Sequence, residues 1–111
     1  MKLSEHLAVC SWSLQPSSPQ ELAEKLRAIG IMQAQLAIDP LREGGAWTDG
    51  FKKLADLGVS VASGMFTTVG EDYSTLDAIR RTGGVVPDAT WPQTLVNFTQ
   101  IVLMAARARS E

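Results

Sequence analysis

Hydrophobic positions along the chain switch repeatedly between runs of extended character and stripes of helical spacing. His6 to Leu14, rich in Val, Trp and Leu and ended by Gln15-Pro16, predicts a first strand. Ser18 then offers an N-cap, Pro19 suits the first helical position, and Glu21 is placed to reach back in a capping box. Leu22, Leu26 and Ile29 make one apolar stripe, Glu21 and Lys25 pair across a turn, and Gly30 supplies the left-handed stop. Ile31 to Ile38 predicts a second strand. It breaks at Asp39-Pro40, because the residue before proline is pushed toward extended geometry and proline has no N–H to donate.

After the glycine-containing loop "REGGAW", Thr48 or Asp49 is placed to cap a second helix. In it Phe51, Leu54 and Ala55 face inward, Lys52, Lys53 and Asp56 face water, and Gly58 ends the element. Val59 to Phe66 predicts the third strand. The longer connection "TTVGEDYSTLDAIRRTGGVVPDA" carries a short helix of its own, begun at Ser74 or Asp77 and stopped at Thr82-Gly83. Thr90 and Gln93 form a second capping-box pattern, and a helix from Trp91 to Arg109 is expected to bury Leu95, Phe98, Ile101, Val102 and Ala105. Strands alternating with amphipathic helices predict βαβ units and a parallel sheet, an α/β fold in one domain over 1–111.

Composition narrows the classes. A net charge of -2 with scattered basic residues gives no electrostatic footprint for nucleic acid or anionic lipid. Arg80-Arg81 and Arg107/Arg109 lie near expected helix ends, where they complement the macrodipole. The single Cys10 excludes an internal disulfide and fits a reduced compartment. Glu5 and His6 interrupt any signal-peptide core, and no apolar run approaches a membrane span, so a cytoplasmic protein is expected.

Three stretches carry more than periodicity: "CSWSLQPSSPQEL", "QLAIDPL" and "SGMFTTVGEDYSTLDAIRRTGGVVPDATW". Together they resemble the N-terminal part of the sugar phosphate isomerase/epimerase family, the xylose isomerase-like TIM barrels. The resemblance implies a (β/α)8 barrel with its active site at the C-terminal ends of the strands, of which this chain supplies three βα units, an incomplete barrel. It implies a metal-dependent sugar or sugar phosphate isomerase or epimerase, inactive as an isolated chain. The divalent metal of such enzymes is held by later strands, so none is expected to be bound here, and no catalytic or metal-binding residue is carried over.

Two residues are candidates for substrate binding. Trp12 lies near the C-terminal end of the first strand, where an indole either stacks on the C–H face of a sugar or packs into the core. In the second strand, alternation sends Leu36 and Ile38 to the helix layer and Gln35, Ala37 and Asp39 to the barrel interior. Asp39, at the strand end, is the best-placed polar group; its other role is turn chemistry before Pro40. His6 falls at the opposite end of the first strand, with no carboxylate at ligand spacing. Cys10 has no base beside it, Ser11 and Ser13 lack a nucleophile elbow, and Gly44-Gly45 and Gly83-Gly84 match no phosphate loop. The competing class is a small non-catalytic α/β module, binding a small anion or assembling into homo-oligomers through its open sheet edges.

Overall fold

Eleven elements follow one another in a computed structural model that describes residues 3–85 and 87–110. A 3-10 turn, Leu3–His6, precedes β1 (Val9–Cys10) and α1 (Ser11–Leu14); α2 (Pro19–Ile29) leads to β2 (Gln33–Ala37) and α3 (Asp39–Glu43). A second 3-10 turn, Gly45–Trp47, opens into α4 (Gly50–Asp56), then come β3 (Ser60–Met65), α5 (Leu76–Thr82) and α6 (Trp91–Ser110). Val86, within the third motif quoted above, lies outside the described residues.

The three strands form one parallel sheet in the order β1-β2-β3, so each strand is added outside the last. Ala34 and Leu36 of β2 are completely buried, together with Leu22, Ala23 and Leu26 of α2 and Leu54 of α4. These belong to one cluster, which places α2 and α4 on the same face of the sheet. The opposite face carries Cys10, Gln35 and Ser63, which share a register, and Met65, which pairs with Ala37. No helix layer closes over it among the described residues: Ser63 is exposed, and Cys10, Gln35 and Met65 are half-buried. Cys10 Sγ donates to Met65 Sδ across that face at 3.6 Å. An extra residue, Ala62, bulges β3 between the Ala34–Val61 and Gln35–Ser63 pairs and so adds local twist.

The helix from Pro19 forms as its spacing predicts. Ser18 Oγ accepts the Glu21 N–H at 3.1 Å, Glu21 pairs with Lys25 at 2.9 Å, and Gly30 closes the end at φ 86°. The predicted capping box differs in one detail: Glu21 reaches back past Ser18 to the Ser17 N–H and hydroxyl. These donors, the Ser17 hydroxyl first and the Lys25 ammonium next, hold the Glu21 carboxyl down at about 2.

Several boundaries depart from the sequence reading. The first strand spans two residues and not nine, because Ser11 Oγ accepts the Ala37 N–H at 2.9 Å where a longer strand would have offered a carbonyl. The chain then turns into α1. Asp39-Pro40 ends β2 as expected but starts a helical turn, with Pro40 in its first positions. Neither Thr48 nor Asp49 caps α4 through its side chain; Asp49 takes the left-handed conformation instead, at φ 55°. α5 is capped by Thr75, whose hydroxyl accepts the Ala78 N–H at 3.0 Å. The Thr90–Gln93 box does not form: Thr90 Oγ1 donates to Pro87 O and Gln93 Nε2 to Asn97 Oδ1.

α6 departs furthest from its apolar spacing. Of the residues expected to be buried, only Ile101 is; Leu95, Phe98 and Val102 are 41–47% exposed and Ala105 is half-buried. The inward row is Thr94, Asn97 and Ile101. Thr94 Oγ1 accepts the Val69 N–H at 3.1 Å, which ties the helix to the loop after β3 and sets its rotation. Phe98 still meets Phe66, with ring centroids 4.9 Å apart.

Replacing Leu36 by Ala leaves a cavity under two helices and is expected to lower stability by about 2–5 kcal/mol. Val102→Ala, on the uncovered side of α6, is expected to change it by less than about 0.5 kcal/mol. Urea unfolding followed by circular dichroism checks both; equal losses would mean that the outer face of α6 is packed.

Candidate functional site

The C-terminal ends of β1 and β2 open onto a cleft of about 340 Å³ lined by Ser11, Trp12, Gln15, Pro16, Ala37, Pro40 and Trp47. The elements that build it are short and individually pinned. α1 is one turn long; Gln15 N–H closes it onto Ser11 O at 3.0 Å, and the Lys25 ammonium donates to Leu14 O from the neighbouring helix. Gln15 is held in the left-handed region at φ 47°, a conformation that costs a non-glycine residue about 1–2 kcal/mol and that packing must over-determine. Across the cleft, Gly44 at φ 92° and Gly45 at φ 65° turn the chain so that the 3-10 turn delivers Trp47 to the wall. The tandem glycines are therefore turn residues.

The two indoles differ in setting. Trp47 is 7% exposed and belongs to the core, whereas Trp12 is 47% exposed, leaving much of its surface open to solvent. Ser11 is buried; its oxygen accepts the Ala37 N–H, and no described acceptor takes its hydroxyl proton.

Asp39 lies next to the cleft in sequence, through Pro40, but does not line it. Its Oδ2 accepts the Thr67 N–H at 2.7 Å and the Thr67 hydroxyl at 3.1 Å, and its Oδ1 faces Arg42 Nη2 at 3.4 Å. The carboxylate thus ties the end of β2 to the residue just after β3, and α3 begins at the same place. The structure brings Trp12 into the cleft and gives Asp39 a tether between strand ends.

A second carboxylate organises the loop beyond. Glu71 accepts the Thr68 N–H at 3.0 Å, the Thr68 hydroxyl and the Tyr73 hydroxyl. The Thr68 hydroxyl, then Tyr73, holds the Glu71 carboxyl below the usual range, and Glu71 in turn raises the Tyr73 phenol. Asp72 is lowered by the Ser74 donors.

Among the described residues no three His, Cys, Asp or Glu side chains are gathered so that they could hold a metal ion. His6 is exposed on the opening turn, and Asp39 and Glu71 are taken up by hydroxyl and amide donors. The described residues do not compose a divalent metal site, so no chemical step is assigned to one. No helix among the described residues is long and apolar enough to cross a membrane.

Trp47, Ser11 and Gln15 were not singled out as site residues by spacing. Trp47 stands in a loop that otherwise carries glycines and charges, and a lone large aromatic in such a loop is the signal that it packs somewhere specific. Compared with protein-family models, curated proteins and solved structures, the chain matches none.

Two outcomes test the tethers. Asp39→Ala removes a charged acceptor from Thr67 and is expected to cost about 1–3 kcal/mol in urea unfolding, with faster exchange of the Thr67 amide. Glu71 has a lowered folded-state pKa, so its contribution is full above its unfolded value near 4.3 and is lost as pH falls through the folded value. The Thr68 amide should therefore keep a constant NMR shift and exchange protection from neutral pH to about pH 5 and lose them at lower pH. In Glu71→Gln that acid transition should disappear.

Proposed function

We propose that the chain is the N-terminal portion of a xylose isomerase-like (β/α)8 barrel acting on a sugar or sugar phosphate as an isomerase or epimerase. By itself it is inactive. The observation that carries this reading is a parallel sheet in sequential order with, among the described residues, a helix layer on one face only. A doubly wound sheet reverses its strand order and carries helices on both faces; a barrel wall keeps sequential order and carries helices on its outer face alone. The cleft at the C-terminal strand ends supports the same reading, because barrel enzymes bind substrate there.

In this reading Trp12 supplies a stacking surface for the C–H face of a sugar. Asp39 stands outside the cleft lining, beside Pro40, and keeps acceptor capacity on Oδ1, since each carboxylate oxygen offers two sites, for a substrate hydroxyl that projects beyond the cleft. A divalent metal and the catalytic groups come from further βα units, and the setting is the reduced cytoplasm, with Cys10 as a free thiol. The expected result is that purified chain, supplied with aldose–ketose pairs or their phosphates and with Mg²⁺, Mn²⁺ or Co²⁺, shows neither turnover nor tight cation binding by calorimetry. Metal-dependent isomerisation by the chain alone would refute the reading.

A second reading, a self-assembling module, is favoured by α6. From Trp91 to Ala106 the helix carries no charged residue, while Leu95, Val96, Val102 and Leu103 are exposed. An isologous contact between two copies meets no like-charge repulsion on such a face. Light scattering separates the two: a mass above 12.0 kDa that Leu103→Lys returns to monomer favours assembly, and monomer at every concentration rejects it.

A further inference from the structure

Among the described residues, none that lines the cleft at the strand ends is charged: the lining is two tryptophans, two prolines and an alanine, with Ser11 and Gln15 as its polar residues. The cations nearest in sequence or contact are committed elsewhere. Lys25 donates to Leu14 O and pairs with Glu21, and Arg42 faces Asp39 and Glu43. A phosphate entering this space would surrender hydration with no guanidinium or ammonium among the described lining residues to replace it. A neutral polyol faces no such cost. Its C–H face lies against Trp12, one oxygen accepts the free Ser11 proton, and its hydroxyls meet both ends of the Gln15 amide.

The geometry points to an uncharged, hydroxylated ring as the ligand: the cleft selects a free monosaccharide and rejects its phosphate. At about 340 Å³ it falls within the range of small-molecule pockets, about 300–1,000 Å³. The inference rests on the sugar-binding reading above and narrows its substrate class. Gln15, in the left-handed backbone conformation at the cleft wall, is the uncharged polar residue whose replacement by a cation tests that selection.

The three tryptophans allow a direct test, because Trp12 and Trp47 line the cleft while Trp91 lies on α6 outside it. Indole N–H signals of ¹⁵N-labelled chain are followed while neutral aldoses and ketoses, or their monophosphates, are added. The expected result is saturable movement of the Trp12 and Trp47 signals with a neutral sugar, a still Trp91, and affinity for the phosphate lower by at least about tenfold. Gln15→Lys should narrow or reverse that ratio, and Trp12→Ala, at an exposed position, should abolish the response with the fold retained by circular dichroism. Phosphates that bind as well as free sugars would overturn the inference and leave the sugar-binding reading standing. No movement with any sugar, or equal movement of Trp91, would overturn both.

Discussion

Burial of Ala34 and Leu36 beneath α2 and α4 is the contact on which the rest of the molecule depends. Because β2 is the central strand, its apolar face organises both flanking helices, and the completely buried Leu22, Leu26 and Leu54 all converge on it. The other side of the same strand receives no such layer among the described residues. A sheet apolar on one side and half-open on the other is an unusual end state for parallel strands, which are ordinarily covered on both faces.

That asymmetry also locates the site. With helices on one face, the ends of β1 and β2 are free to carry short turns, and α1 and α3 occupy those positions. Ser11 links the two strand ends through the Ala37 amide, Asp39 links β2 to Thr67, and Thr94 links the following loop to α6. Side-chain hydrogen bonds replace ladder hydrogen bonds at the place where the sheet stops. Of these bonds the one from the Ala37 amide to Ser11 joins two residues of the cleft wall, so a wall built from single turns is tied across the strand ends.

Legibility in the sequence followed the locality of the interaction. α2 was readable because Ser18, Pro19, the Leu22–Leu26 spacing and Gly30 are all local signals that agree. The length of β1 was not, since Ser11 ends the strand by bonding a residue 26 positions away. In α6 more than one row is apolar, so periodicity did not specify which row meets the core; the Thr94 bond to Val69, 25 positions away, decides it. Trp12 stands near the end of the apolar run read as the first strand, whereas the cleft it shares with Trp47 arises only when the chain folds. Asp39 was recognised as a well-placed polar group, and its partner Thr67 comes from another strand end.

Among the described residues no strand pairs with the outer edge of β3. Ser60 N–H donates to Met32 O, and alternation sends the next amide, that of Val61, away from β2. Native-state hydrogen exchange in dilute solution reads this directly. The amide of Leu36 should show protection close to that of global unfolding, Ser60 should be protected, and Val61 should exchange orders of magnitude faster. Protection of Val61 equal to that of Leu36 would mean that the edge is covered, and the free edge of β3 would be contradicted.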